Sequence, residues 1–255
     1  MIETPKCYFV SDLHLFARRS KASDYQQQLD AIIERAEIVV LGGDLFDFKW
    51  STVGSLDATI EQAIDWLQRL IDINPSCQFI YLLGNHDCQV DFVERLADFA
   101  SCKERLRWHH SHWQCGDTVF IHGDVADKIT TPEQLEQFRD HWGNEPITRK
   151  SQFRQTLYDL VLQLRLHKLV GHILHRPAAV AKRLLSYLDH FDINPGTGLR
   201  KVYFGHTHAP LDGFELLGVQ FYNGGAPLNG IPFRIVEVDT TGFGEFSLDN
   251  ESHDR

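Results

Sequence analysis

Tyr81-Leu82-Leu83-Gly84-Asn85-His86-Asp87-Cys88, YLLGNHDC, runs three strand-type apolar residues straight into a glycine, an amide, an imidazole and a carboxylate. Alone it can be an ordinary turn, because glycine reaches positive φ and Asx side chains bond their own backbone. Its meaning depends on how the chain's other apolar runs end.

They end alike. CYFVSD, IVVLGGD, FIYLLGN, TVFIHGD, KVYFGH, VQFYNGG and FRIVEVD are short, rich in β-branched and aromatic residues, and closed by Gly, Asn or Asp, which predicts strands. Between the early ones, Leu29, Ile32, Ile33 and Ala36, then Ile60, Ala63, Ile64, Leu67, Leu70 and Ile71, follow the i, i+3, i+4, i+7 spacing of amphipathic helices. The alternation predicts βαβ units. Later strands are separated by short turns, so the sheets are expected to be mixed. Trp108 to Trp113, WHHSHW, reads as one alternating strand that turns through Cys115-Gly116-Asp117 into TVFIHGD, a hairpin with its histidines on two faces and no metal cluster.

Between TVFIHGD and KVYFGHTH the pattern is helical only. Thr131-Pro132-Glu133-Gln134 carries a capping residue, a proline at the first helical position and Gln at the capping-box position, with Leu135, Phe138 and Trp142 on one face. Further stripes lie at Phe153, Leu157, Leu160, Val161 and Leu164 and at Val180, Leu184, Leu185, Leu188 and Phe191. The expectation is a single domain over 1–255 with a helical insertion, a lid, over 125–200.

Five strands end in side chains that bind metals: Asp12 and His14, Asp44 and Asp47, Asn85 with His86 and Asp87, His122 and Asp124, His206 and His208. In open α/β sheets ligands bind beyond the carboxyl ends of the strands, so groups scattered in sequence can converge. Imidazole and carboxylate without thiolate favour Mn, Fe or Zn. A carboxylate has two oxygens, which makes Asp44 a candidate to bridge two cations roughly 3.5–4 Å apart. Gly43, Gly84 and Gly205 are read as sharp turns that aim the next side chain inward.

D-x-H, GDLFD, GNHD, HGD and GHTH, in that order over almost the whole chain, resemble the calcineurin-like metallophosphoesterases. The resemblance implies an α/β fold of two mixed β-sheets sandwiched between helices. It implies two divalent transition-metal ions, Mn ahead of Fe or Zn, and hydrolysis of phosphoester or pyrophosphate bonds by a metal-bound hydroxide. One ion would be held by Asp12, His14, Asp44 and His208, the other by Asp44, Asn85, His122 and His206. His86 then protonates a leaving group or binds phosphate, with Asp87 as the catalytic partner that orients it, while Asp47 holds the loop behind Asp44. Phe46, Phe48 and Trp50 line either a substrate rim or the core.

Composition narrows the partners. A chain of 255 residues, 43% hydrophobic and 24% charged, suits one large α/β domain. No run approaches the roughly 18 apolar residues of a membrane span, and MIETPKCYFV has no signal-peptide pattern, so a cytoplasmic location is expected. Five cysteines, never as CxxC, read as reduced packing residues. The net charge of −10 speaks against nucleic acid as partner. Ten basic and three acidic residues between Ile147 and Lys201 make that segment +7 and leave −17 elsewhere. A basic, leucine-striped insertion resembles that of the bacterial UDP-2,3-diacylglucosamine diphosphatases. This implies a phosphate-bearing, acylated substrate met by Arg149, Lys150 and Arg154, and peripheral contact with an anionic inner membrane surface. His86 stands where that subgroup typically has Arg, and Asp47 where it has Glu; His86 matches general phosphatases and phosphodiesterases acting on soluble substrates. A repair-type nuclease is the third reading, opposed by the acidic core. A Ser/Thr protein phosphatase would show Arg-Gly where Phe48-Lys49 stands and Glu in place of Asp87.

Overall fold

In the computed structural model, which describes residues 5–144 and 176–243, the apolar runs pair into two five-stranded mixed sheets. β1 (Cys7–Val10), β2 (Ile38–Leu41), β3 (Gln78–Leu82) and β4 (Leu106–His109) are parallel neighbours, and β10 (Val236–Val238) pairs antiparallel with the free side of β1. The second sheet runs β5 (His112–Cys115), β6 (Thr118–Ile121), β7 (Lys201–Phe204), β9 (Val219–Asn223), β8 (Leu211–Leu216). Its inner three strands are parallel and its two edges antiparallel.

The runs look uniformly apolar because both faces of each sheet are covered. With a side-chain period of two, each strand serves two cores. Cys7, Phe9, Ile38, Val40, Ile80 and Leu82 meet Trp113, Phe120 and Tyr203 in a seam between the sheets. Tyr8, Val10, Val39, Leu41, Phe79 and Tyr81 face away from the seam and pack with α1 (Gln26–Ile33), α2 (Leu56–Ile73) and α3 (Val90–Ser101). Val119, Ile121, Val202 and Phe204 do the same with α5 (Pro177–Leu188), so the layers run helix, sheet, sheet, helix. Truncating a fully buried seam aromatic such as Phe120 to alanine costs about 3–5 kcal/mol. Such packing holds the two sets of strand ends in fixed relation.

Several expectations change. WHHSHW is not one strand: β4 ends the first sheet, β5 begins the second, and the chain crosses between sheets at His110-Ser111, where the His110 carbonyl accepts from Arg139. The β5–β6 hairpin forms as expected, with Gly116 at φ +58. α4 (Pro132–Asn144) has its capping box, Thr131 N to Gln134 Oε1 at 3.2 Å and Gln134 N to Thr131 Oγ1 at 3.3 Å. It buries Leu135, Arg139 and Gly143, however, and leaves Phe138 exposed. Helical spacing alone favoured the apolar edge; a buried ion pair of Arg139 selected the other. α5 packs Val180, Leu184, Leu185 and Leu188 into the second sheet's core, so this end of the expected lid is a core layer. The stripe from Phe153 to Leu164 and Arg149, Lys150 and Arg154 lie outside the described residues. Phe46 and Phe48 are core residues. All five cysteines are free, four of them buried and Cys102 exposed. Among the described residues no helix is long and apolar enough to cross a membrane.

Candidate metal centre

The loops after β1 and β2 go on pairing where the strands stop. Asp12 N donates to Gly43 O (3.0 Å), His14 N to Asp44 O (2.9 Å) and Leu15 N to Leu45 O (2.8 Å). Gly205 N likewise donates to His122 O at 2.7 Å on the second sheet. Across the seam His206 N donates to both oxygens of Asp12, at 2.9 and 3.1 Å, and His86 N donates to Asp44 Oδ1 at 2.7 Å. Strand ends far apart in sequence are thereby laced into one rim.

All seven expected ligands reach that rim. His208 Nε2 lies 3.1 Å from His14 Nε2 and 3.3 Å from Asp12 Oδ1. His122 Nε2 lies 3.3 Å from Asp44 Oδ2, and His206 Nδ1 lies 3.0 Å from Asn85 Oδ1. Ligand atoms of Asp12, His14 and His208 form one compact group and those of Asp44, His122 and His206 a second. A third, of His14, Asp44 and His86, shares a residue with each.

The residues fit metal ions. His122 places Nδ1 3.0 Å from Gly42 O, which fixes its proton there and leaves Nε2 buried beside Asp44 with no hydrogen-bond partner among the described residues. Burial, then the neighbouring His86, holds His14 well below its usual range, so its lone pair stays available. Burial opposes a charge on His122 too, but Asp44 and Asp12 outweigh it and push it up to about 10. The carboxylates around that nitrogen thus attract positive charge, and a metal ion competes with the proton for it. Burial acts to raise Asp44, yet His122 and His86 keep it well below the usual carboxylate range.

Backbone strain is concentrated at the same residues. Asp12 (φ +56), His14 (+46), Asp44 (+52), His206 (+63) and His208 (+52) are five of the eight non-glycine residues with positive φ among those described. Each such conformation costs on the order of 1 kcal/mol or more and persists where the surroundings impose it, typically at functional sites. The glycines act differently from the expectation. Gly43, at φ +84, does make a turn, but Gly84 and Gly205 are needed for room: a Cβ there would collide with the Asp44 and Asp12 carboxylates respectively.

The family profile for calcineurin-like phosphoesterases matches residues 5–210. The chain belongs to that family. It is therefore a metal-dependent phosphoesterase, from a family that works with two metal ions. Among solved structures, a dimetal phosphatase from Danio rerio is similar over 88% of each chain, at 15% identity and a TM-score of 0.46. A search of curated proteins found no match.

Behind the candidate ligands the expected role of Asp87 passes to Asp47, which also holds its own loop by accepting from Trp50 N at 3.1 Å. Asp47 is the carboxylate against His86, Oδ1 to Nδ1 3.3 Å, with Oδ2 3.8 Å from His14 Nδ1 and 3.7 Å from Arg19. Asp87 accepts instead from Leu45 N (3.0 Å), Gly84 N (2.6 Å) and Tyr81 Oη (2.6 Å) and is fully buried. It ties the GNHD loop to the GDLFD loop, so its expected place as catalytic partner of His86 is corrected to a structural one. Asp124, the last residue of HGD, faces Arg139 rather than the ligand cluster, at 2.8 and 3.1 Å. Burial acts to lower the His86 imidazole, but Asp47 and Asp44 outweigh it and push it up to about 8.

Sequence reading missed two supports. Asn223 donates to Gly205 O (2.9 Å) and Thr207 Oγ1 (3.2 Å), bracing the GHTH loop. Its strand-end position in YNGG was the available signal. Asp127 Oδ2 lies 3.1 Å from His206 Nε2, and no motif marked it.

Proposed function

We propose that this phosphoesterase cleaves phosphomonoesters or phosphodiesters whose leaving oxygen needs a proton, and that His86 supplies it. The observation that carries this is the place of His86: its main-chain N–H rests on Asp44, its ring stands edge-on to His14 at 4.8 Å, and its Nδ1 is turned to Asp47. Nε2 is then the ring atom left for substrate. Two divalent ions, Mn ahead of Fe or Zn, would be held by Asp12, His14, Asp44 and His208 and by Asp44, Asn85, His122 and His206, with Asp44 shared. Paired cations of this kind make water a nucleophile near neutral pH and stabilise the attacking and leaving oxygens. Asp47 favours the charged form of His86, so one imidazolium both attracts phosphate and holds a proton at Nε2. The test compares alkyl and p-nitrophenyl esters. His86→Ala should leave metal content intact and lose far more activity on the alkyl ester; equal losses on both would remove the acid role.

A second reading is a lipid-linked nucleotide such as UDP-2,3-diacylglucosamine, handled in the cytoplasm at an anionic membrane surface. Exposed Phe138 beside Trp142, near His86, and the +7 charge of residues 147–201 favour it. Arg149, Lys150 and Arg154 would then meet its phosphates. Binding to anionic vesicles that weakens with salt supports this reading. Indifference to vesicles, with best turnover on soluble esters, removes it.

A further inference from the structure

We propose that Asp127 is a positioning residue for the second ion: it takes the Nε2 proton of His206 and so turns the Nδ1 lone pair of that imidazole toward Asn85, where the ion would be held. This rests on the reading of Asp44, Asn85, His122 and His206 as the ligands of that ion. Asp127 Oδ2 lies 3.1 Å from His206 Nε2, and Asn85 Oδ1 lies 3.0 Å from His206 Nδ1. Each ring nitrogen thus faces an oxygen acceptor, while a neutral imidazole carries a single proton. The carboxylate is the stronger acceptor, because a hydrogen bond to an ionised group is shorter and roughly twice as strong as one between neutral groups. The proton therefore goes to Nε2. Nδ1 and Asn85 Oδ1 are left facing each other as two neutral donor atoms for a cation.

His122 meets the same requirement with the opposite nitrogens. Its Nδ1 lies 3.0 Å from Gly42 O, so Nε2 is the atom presented to Asp44, at 3.3 Å. That outer acceptor is main chain, which no substitution of a side chain removes. The His206 ring stands 5.4 Å from the His122 ring, at 82° to it, and has a side chain as its outer acceptor. Asp127 follows directly on the short 3-10 turn Asp124–Ala126, whose Val125 and Ala126 are buried in the core of the second sheet. Arg183 Nη1 of α5 donates to Ala126 O at 2.6 Å, and the Arg139–Asp124 pair fastens the start of the turn. A fixed turn therefore carries the carboxylate, although its side chain is 55% exposed.

Exposure sets the size of the effect. Water can stand in for Asp127 as acceptor and screens its charge, so its loss belongs at the low end of the 10–100-fold range typical for an outer partner of a metal-binding histidine. Asp12, His14 and His208 form the other group of ligand atoms. The effect should accordingly fall on one ion and spare its neighbour, whereas general damage to the rim would weaken both.

Two measurements on the full chain test this. In calorimetric titration with Zn, Asp127→Ala should bind one of two ions about tenfold more weakly than the wild type and the other unchanged. Asp127→Asn, whose amide oxygen still accepts from Nε2, should recover most of the loss. Nitrogen NMR of the histidines in the metal-free chain reads the tautomer directly, with the His206 signals identified by their absence in His206→Gln. Wild type and Asp127→Asn should show a protonated Nε2 and a bare Nδ1, and Asp127→Ala a mixture of both tautomers. A proton on Nδ1 of wild-type His206 overturns the proposal. So does an Asp127→Ala protein that binds both ions undiminished or loses both equally, and so does an Asp127→Asn protein no better than Asp127→Ala. A wild type that binds fewer than two Zn ions while His206 keeps its proton on Nε2 overturns the reading of the ligand set instead.

Discussion

Loops of the first sheet bring Asp12, His14, Asp44 and Asn85 to the centre, whereas loops of the second bring His122, His206 and His208. Both carboxylates belong to the first set and three of the four imidazoles to the other groups's side of the seam. The first set is held by a main-chain ladder between adjacent loops, from Asp12 N to Gly43 O through Leu15 N to Leu45 O. The second relies more on side chains: Asn223 under the GHTH loop, and the Asp12 carboxylate accepting from His206 N. Carboxylate oxygens on one side and imidazole nitrogens on the other make a cation the natural link across the seam. The difference teaches that the first side should fail through charge and the second through support.

The largest effect is expected from the charge side. Asp44→Asn halves the anionic groups at the rim and should abolish stoichiometric binding of metal, with turnover down by more than about 10²-fold, since changing a mere outer partner already costs 10–100-fold. Metal analysis after dialysis decides it; a variant that keeps its metal and its rate would erase the asymmetry. His86→Ala comes next, with turnover on alkyl esters down roughly 10²–10⁴-fold and metal retained. Loss of metal in that variant would move His86 into the ligand set, where the group with His14 and Asp44 would accommodate it.

On the support side, Arg139→Met leaves Asp124 buried without its partner and should cost about 3–5 kcal/mol in urea unfolding at neutral pH. Acid sharpens this. Burial opposes the charge on Asp124, but Arg139 and His122 hold its carboxyl below the ordinary value of 3.8. Its contribution is therefore fully present above that value and is lost as pH falls through the lower folded one. In Arg139→Met the unpaired carboxyl titrates above its ordinary value, so acidification should relieve part of the defect; parallel pH–stability curves for the two proteins would contradict the assignment. Asn223→Ala should have the smallest effect, a 10–100-fold weaker metal affinity with little change in stability. Equal weakening by a substitution at an exposed residue far from the centre would show that Asn223 has no particular role.

Most of the candidate centre was legible because each motif follows a strand and the chemistry of a strand end is local. Five apolar runs, each ending in His, Asp or Asn, already imply convergence once the strands are parallel. Legibility stopped at the supports. Asp47 and Asp87 occupy equivalent-looking places in GDLFD and GNHD, and nothing local says that Asp47 reaches the His86 ring while Asp87 binds the neighbouring loop. Gly84 and Gly205 looked like turns, yet their requirement is for room beside carboxylates contributed by other loops.

The sequence by itself determined the α/β class, the mixed sheets, the strand ends that carry ligands and the capping box of α4, because periodicity, turn chemistry and caps act over a few residues. Only the tertiary structure decided that WHHSHW divides between two sheets, that α4 buries Arg139 in place of Phe138, that α5 is a core layer, and that Lys49 lies over Trp142. Those outcomes depend on which surface stands opposite each element. A helix with two candidate faces takes the one whose partner is better: here Asp124 offered a buried guanidinium a hydrogen-bonded counter-charge, and the aromatic edge was left beside the metal centre.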